Sequence, residues 1–273
     1  MSAAGDADLL AAARSALLDA LDALAAHLDA LILIGAQAVY LHTGDAVVAL
    51  AEATKDSDLA VDPRELDDNP RIEQAMRQAG FRRTQQPGGW ESPRGIPVDL
   101  MVPEALAGSG GQRGARIPPH DKHATRRTPG LEAAMVDNQP IEIAALDPAD
   151  HRTVTIAVAG PAALIVAKLY KLGERQNQPT RLVDKDAHDI YRLLVATEAE
   201  ALGRRLADLM RDDLAGPTTE AAIDWLRELF AHPAAAGSLM AGRAEELVGD
   251  PGTVAASVAA LAGDVLAALD TFV

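Results

Sequence analysis

Leu31-Ile32-Leu33-Ile34-Gly35-Ala36-Gln37-Ala38 and, about twenty residues on, Ala53-Thr54-Lys55-Asp56-Ser57-Asp58-Leu59-Ala60-Val61 decide how this chain reads. The first is a short apolar run broken by glycine, which suits a buried strand passing into a helix. The second carries two acids at spacing i, i+2. On an extended strand such residues point to the same side. Two carboxylates on one side can grip hard cations, as Mg²⁺-assisted chemistry on phosphates requires. A third acid, Asp99, lies in Ile96-Pro97-Val98-Asp99-Leu100-Met101-Val102, another strand-like run. Gly35 sits where a phosphate could approach the backbone closely at a helix N-terminus. The plain alternatives are a simple turn at Gly35 and chance spacing of acids in an acidic chain.

Working outward, residues 7–29 carry Leu9, Leu10, Ala13, Leu17, Leu18, Leu21 and Leu24 at helical spacing, which predicts an amphipathic helix. The pattern predicts a helix over 36–42, a strand over 58–61 ended by Pro63, and a helix over 64–79 capped at Gly80. Strands are expected within 81–102 around the Pro87-Gly88-Gly89 turn, and irregular chain over 104–130. Strand-like runs follow at 131–136, 141–146 and 153–158. Gly160-Pro161 opens a helix. From there the pattern is helical, with breaks near 175–180, 215–217, 232–233 and 250–252. The expected layout is an α+β or α/β domain over 1–158, a mixed β-sheet with flanking helices, and a C-terminal helical bundle over 159–273.

The 273 residues contain no cysteine, which excludes disulfides and thiolate metal sites. No uninterrupted apolar run reaches the roughly 18 residues of a membrane span. The segment Met1 to Asp8 is polar and lacks the basic start of a signal peptide, so a soluble cytoplasmic protein is expected. A net charge of −15 argues against a generally basic nucleic-acid binder. The charge is uneven: residues 112–192 carry 12 basic and 10 acidic groups, while both flanks are strongly acidic. The middle third is therefore where a phosphate or polynucleotide is expected to dock.

A second constellation lies in the helical part, in Leu164 to Arg175 and Arg181 to Arg192. Lys168 follows a long apolar run, so its stem should be buried while its ammonium reaches a partner. That partner could be a triphosphate. Lys171 and Arg175 lie nearly on the same face, and Asp186 and Asp189 share another. The alternative is a salt-bridged helix pair, preferred for Lys171, Lys185 and Asp184. A lysine inside an apolar stripe needs a partner to offset desolvation, which leans Lys168 toward function.

Taken in order, Gly35, Asp56 and Asp58, Asp99, Lys168 and Lys185-Asp186-Ala187-His188-Asp189 resemble the nucleotidyltransferase-fold superfamily, the relatives of DNA polymerase β. The chain most resembles the abortive-infection nucleotidyltransferase toxins of type IV toxin–antitoxin systems, over roughly residues 30–195. The resemblance implies transfer of a nucleoside monophosphate from an NTP with Mg²⁺, or Mn²⁺ in its place. It implies Asp56, Asp58 and Asp99 as metal-binding and catalytic residues, with Lys168 also catalytic. Gly35, Ala36, Lys55, Lys168, Lys185, Asp186 and Asp189 would hold the nucleotide. Implied partners are an NTP, an RNA acceptor such as the 3′ end of tRNA, and a cognate antitoxin. Neither a membrane nor DNA is expected. Two departures stand out: Ala36 replaces a glycine or serine, and Ser57 replaces an apolar residue between the acids. Ala36 keeps open a catalytically silent binding protein, and the acidic surface keeps open a small cationic acceptor such as an antibiotic.

The segment Gln112 to Arg127 is a basic, glycine-containing loop that could contact acceptor phosphates. It has no aromatic residue to stack on bases, so sequence-specific RNA readout from it is not expected. Trp90 follows Gly88-Gly89 and could stack on a base or pack in the core. The histidines are scattered; His188 reads as structural and none is assigned to zinc.

Overall fold

The computed structural model describes residues 3–44, 56–110, 113–176 and 183–273. It is a mixed α/β architecture: a central mixed sheet flanked by helices, then a C-terminal helical region. The described chain divides into two compact units, residues 3–38 with 56–159, and residues 39–44 with 160–273.

Among the described residues, the first unit is built on eight strands: β1 (Leu31–Ile34), β2 (Ser57–Val61), β3 (Arg82–Arg83), β4 (Gly89–Glu91), β5 (Pro97–Pro103), β6 (Arg126–Thr128), β7 (Asn138–Ala144) and β8 (Thr153–Ala159). Their order is β3-β4-β5-β2-β1-β8-β7, with β6 added beside β5. The β2–β5, β5–β6 and β1–β8 pairs are parallel; the others are antiparallel. All four residues of β1 are buried, which explains its unbroken apolar run. Pro140 is tolerated because β7 is an edge strand.

Helix α1 (Ala3–Ala23) lays Ala13, Ala16, Leu17, Leu18, Ala20 and Leu21 into the core against β2 and β5. Each fully buried leucine there contributes about 1.5–3 kcal/mol. The predicted helix over 7–29 is shorter than expected, because the chain tightens into a 3-10 turn over Ala25–Ala30. Helix α2 (Gly35–Thr43) follows β1 directly.

Three expectations fail here. Helix α3 covers only Ile72–Gln78, not 64–79. Pro70 disfavours helix in the residue before it, and 64–71 is instead a loop held by side chains. His27 Nε2 contacts Pro70 O at 2.6 Å, and His120 Nε2 contacts Asp67 O at 3.0 Å. The run 131–136 is a 3-10 turn (Glu132–Met135) rather than a strand, buried throughout. Short apolar runs do not separate buried strand from buried helix by periodicity. The irregular 104–130 segment contains β6, which sequence pattern did not mark.

The second unit holds α4 (Pro161–Gly173), α5 (Asp184–Ala196), α6 (Ala199–Met210), α7 (Gly216–Phe230), α8 (Ala236–Ala244) and α9 (Pro251–Leu269). Pro161 opens α4 as predicted. The break between α5 and α6 at Thr197-Glu198 was not predicted, and the break near 175–180 falls partly outside the described residues. Among the described residues, α9 alone is long and apolar enough to cross a membrane by length and composition. Here it packs on α6 and α8, burying Val254, Val258, Ala262 and Val265.

Candidate active site

The centre of the sheet brings three predicted residues together. In the β1–β2 pair Ile34 stands opposite Asp58, and in the β2–β5 pair Asp58 stands opposite Asp99. Partners in register on neighbouring strands share a face, about 4.8 Å apart along the sheet. Asp58 and Asp99 are thus side by side, both partly exposed. Gly35, one residue past Ile34, has φ +69°. A Cβ there would stand 2.1 Å from Asp58 Oδ2. Only glycine therefore lets the strand–helix turn lie against this carboxylate, and the left-handed backbone favours it independently.

Two carboxylates this close repel unless a cation intervenes. Arg126, from β6, supplies one: its Nη2 donates to Asp99 Oδ2 at 2.8 Å and also contacts Met101 Sδ at 3.3 Å. Sequence reading had offered Arg126 only as part of a basic loop. Its strand, paired beside β5, is what carries it to Asp99.

Below this face lies a buried polar chain. Arg14 Nε donates to Gln37 Oε1 (2.8 Å), Gln37 Nε2 donates to Ser57 Oγ (2.6 Å), and Ser57 Oγ donates to Ala13 O (3.0 Å). Arg14 Nη1 also donates to Ala144 O at 2.9 Å. Arg14, Gln37 and Ser57 are all at most 5% exposed, and burial holds the Arg14 guanidinium below its ordinary value. Ser57 points to the opposite side of β2 from Asp56 and Asp58. Its departure from an apolar residue is now accounted for: it ties α1, the first turn of α2 and β2 into one piece beneath Gly35 and Asp58. Gln37→Leu is expected to strip Arg14 Nε of its acceptor and Ser57 Oγ of its donor, leaving only their bonds to Ala144 O and Ala13 O, at a cost of about 1–3 kcal/mol. Chemical denaturation of the variant measures that loss.

The other predicted residues are placed as follows. Asp56 lies just before β2 and is exposed. Ala36 is buried in the first turn of α2, so no hydroxyl is presented there. First-turn amides have no acceptor within their own helix, which leaves a backbone donor in its place. Lys55 lies outside the described residues. Trp90 is fully buried and its Nε1 donates to Ala124 O at 3.0 Å, so it is a core residue and not a stacking platform.

Lys168, Lys185, Asp186 and Asp189 belong to the second unit. Lys168, 8% exposed, donates to Asp189 Oδ2 at 2.6 Å and to Asp186 Oδ1 at 3.1 Å. Lys171 donates to Asp186 at 2.8 Å, and Arg243 pairs with Asp184 at 2.7 Å. Burial works against charge on Lys168, but the two carboxylates outweigh it and raise its pKa. Burial likewise works against the Asp186 carboxylate, yet Lys168 and Lys171 hold its pKa below the usual range. The ammonium that sequence reading offered to a triphosphate is therefore committed to two carboxylates joining α4 to α5. Lys185 is half-buried and has no ion-pair partner among the described residues. His188 is buried against Glu245 at 2.8 Å, a structural link from α5 to the end of α8.

Carboxylate oxygens are the donors that Mg²⁺ takes, and Asp58 beside Asp99 provides them in the right chemistry. Among the described residues, however, no three His, Cys, Asp or Glu side chains form a group that could hold a metal ion. Asp99 is engaged by Arg126, and the three acids do not form a closed ligand set. What the described residues offer a divalent cation is the in-register pair Asp58 and Asp99, with Asp56 two residues before Asp58 in sequence.

No curated protein and no solved structure matches the chain significantly. A family model described as nucleotidyltransferase does match, over residues 12–215. That span takes in the second half of α1, Gly35, the Asp58–Asp99 pair, the basic segment around Arg126, and the helices carrying Lys168 and Asp189. The match covers most of the chain: it belongs to the nucleotidyltransferase family, enzymes that take a nucleoside monophosphate from an NTP.

Proposed function

We propose that this chain transfers a nucleoside monophosphate to an RNA acceptor in a Mg²⁺-dependent reaction centred on Asp58 and Asp99. The 3′ end of tRNA is the acceptor that its resemblance to type IV toxins suggests. The observation that carries the reading is the register of Asp58 with Asp99 beside Gly35. Asp58, Asp56 and Asp99 would hold the metal, which when bound neutralises phosphate oxygens and makes a hydroxyl easier to deprotonate. Gly35 lets the turn lie against the Asp58 carboxylate, and the first turn of α2 would offer a phosphate unsatisfied N–H donors and partial positive charge. In this reading Asp99, once released by Arg126, would accept a proton from an attacking hydroxyl. The Arg14–Gln37–Ser57 chain holds these elements in register beneath.

The test is label transfer from each of the four NTPs, labelled at the α-phosphate, onto unfractionated tRNA and onto a panel of aminoglycosides. The expected result is label on tRNA, lost when EDTA removes divalent ions and restored by Mg²⁺. Label on the drugs and not on RNA would replace the RNA reading with a small-molecule one.

A further inference from the structure

We infer that a basic cleft in the first unit seats the phosphate backbone of a polynucleotide acceptor. The cleft measures about 390 Å³ and is lined by Gln85, Arg113, Arg116, Lys122 and His123, with Pro87 and Gly114. This inference rests on the reading of Asp58 and Asp99 as the transfer centre.

The charge is unusual for this chain, which has 40 acidic residues against 25 basic ones. Arg113, Arg116 and Lys122 are all exposed and have no carboxylate partner among the described residues. The nearby acids are engaged elsewhere. Asp121 pairs with Arg83 at 3.1 Å and accepts from the His123 amide at 2.7 Å. Glu104 lies 3.7 Å from Arg127, and Asp99 pairs with Arg126. Among the described residues, no acidic residue lines the cleft. Three uncompensated cations around one opening attract a polyanion, while the acidic remainder of the surface repels it.

The walls are held by backbone rather than by mobile side chains. Gly114 forms an isolated β-bridge with Arg126, and the Gly88 amide donates to His123 O at 3.0 Å. A Cβ on Gly114 would stand 2.2 Å from Lys122 O, and one on Gly88 would stand 2.5 Å from Arg126 N. The loop is thus closely packed on β6 and on the turn before β4. Those elements flank Asp99: Gly89 is its register partner in β4, and Arg126 is its ion-pair partner. A backbone seated here is anchored to the same strands that hold the transfer centre. Among the described residues no Phe, Tyr or Trp lines the cleft and its three cations dominate it, so contact is chiefly to phosphate and independent of base sequence.

The experiment is a fluorescence-anisotropy titration of fluorescein-labelled unfractionated tRNA with the full chain, at several salt concentrations. The Arg113→Ala/Arg116→Ala/Lys122→Ala variant is expected to bind at least about tenfold more weakly at low salt. Its slope of log affinity against log salt should be shallower by about 2, three contacts at roughly 0.7 each. Because these side chains are exposed, its melting temperature should match the wild type. Its binding of MgNTP, read by calorimetry, should be unchanged. Arg77→Ala, which removes an exposed cation from α3, should leave tRNA affinity within about twofold. The inference is overturned if the triple variant binds tRNA like the wild type, or if Arg77→Ala weakens binding as much. Loss of MgNTP binding instead of tRNA binding would also overturn it, assigning the cleft to the nucleotide. Asp58→Asn separates the two readings: it should keep tRNA affinity while losing transfer, so persistent transfer would sink the centre and leave the cleft standing.

Discussion

Lys168→Met is expected to destabilise the protein by about 3–5 kcal/mol, a large share of the 5–15 kcal/mol that holds a typical domain folded. Methionine has nearly the shape of the lysine stem and no charge. The loss is therefore electrostatic rather than a packing defect. Without the ammonium, the Asp189 carboxylate, 2% exposed, and Asp186, 3% exposed, remain buried with less compensation. Lys171 and Arg175 still face Asp186, at 2.8 and 3.9 Å, so the deficit falls mainly on Asp189. The pH dependence follows from the Asp186 shift. Its folded pKa lies below the ordinary value of about 3.9. The stability it adds is present above that value and is lost as pH falls through the folded pKa. On the acid side the wild type therefore weakens, and what Lys168 contributes through Asp186 is lost with it. The gap between the two should be widest near neutrality and narrow in acid, as urea denaturation at both pH values would show. A variant as stable as the wild type near neutrality would contradict this account of Lys168.

The contrast between Lys168 and Arg126 shows what the sequence carries and what it leaves out. The strand–glycine–helix reading of 31–42, the strand at Asp58 and the strand at Asp99 all hold, because each rests on local pattern. The C-terminal helices hold for the same reason: amphipathic periodicity and proline or glycine breaks are local signals. Lys168 needed a partner, as its apolar setting implied, but whether that partner is a phosphate or a carboxylate depends on where α5 packs. Arg126 could not be singled out, because β6 has three half-exposed residues and gains its strand character only by pairing with β5. The Ser57–Gln37–Arg14 chain was also hidden. A polar residue between two acids on a buried strand hinted at it, but the partners lie 20 and 43 residues earlier in the chain. The helix predicted over 64–79 failed in its first half, 64–71, where His27 and His120, distant in sequence, take the backbone carbonyls of a loop.

Asp58→Asn is expected to lower nucleotidyl transfer by about 10²–10³-fold, the scale seen when one preorganised charge-stabilising group is removed. Asparagine keeps the size and the position on β2 but surrenders the negative charge, so a metal and its bound phosphates lose a hard anionic ligand. Folding should change little, because Asp58 is partly exposed and removal of one of two adjacent carboxylates relieves repulsion with Asp99. An activity loss without a stability loss separates a role in chemistry from a structural one.

The most direct measurement is therefore transfer from an α-phosphate-labelled NTP with Mg²⁺, comparing wild type, Asp58→Asn and Asp99→Asn at matched melting temperature. The account predicts label on the acceptor with the wild type and loss of label with both variants. Transfer at the wild-type rate by Asp58→Asn would contradict the claim that the Asp58–Asp99 pair is the centre of the reaction.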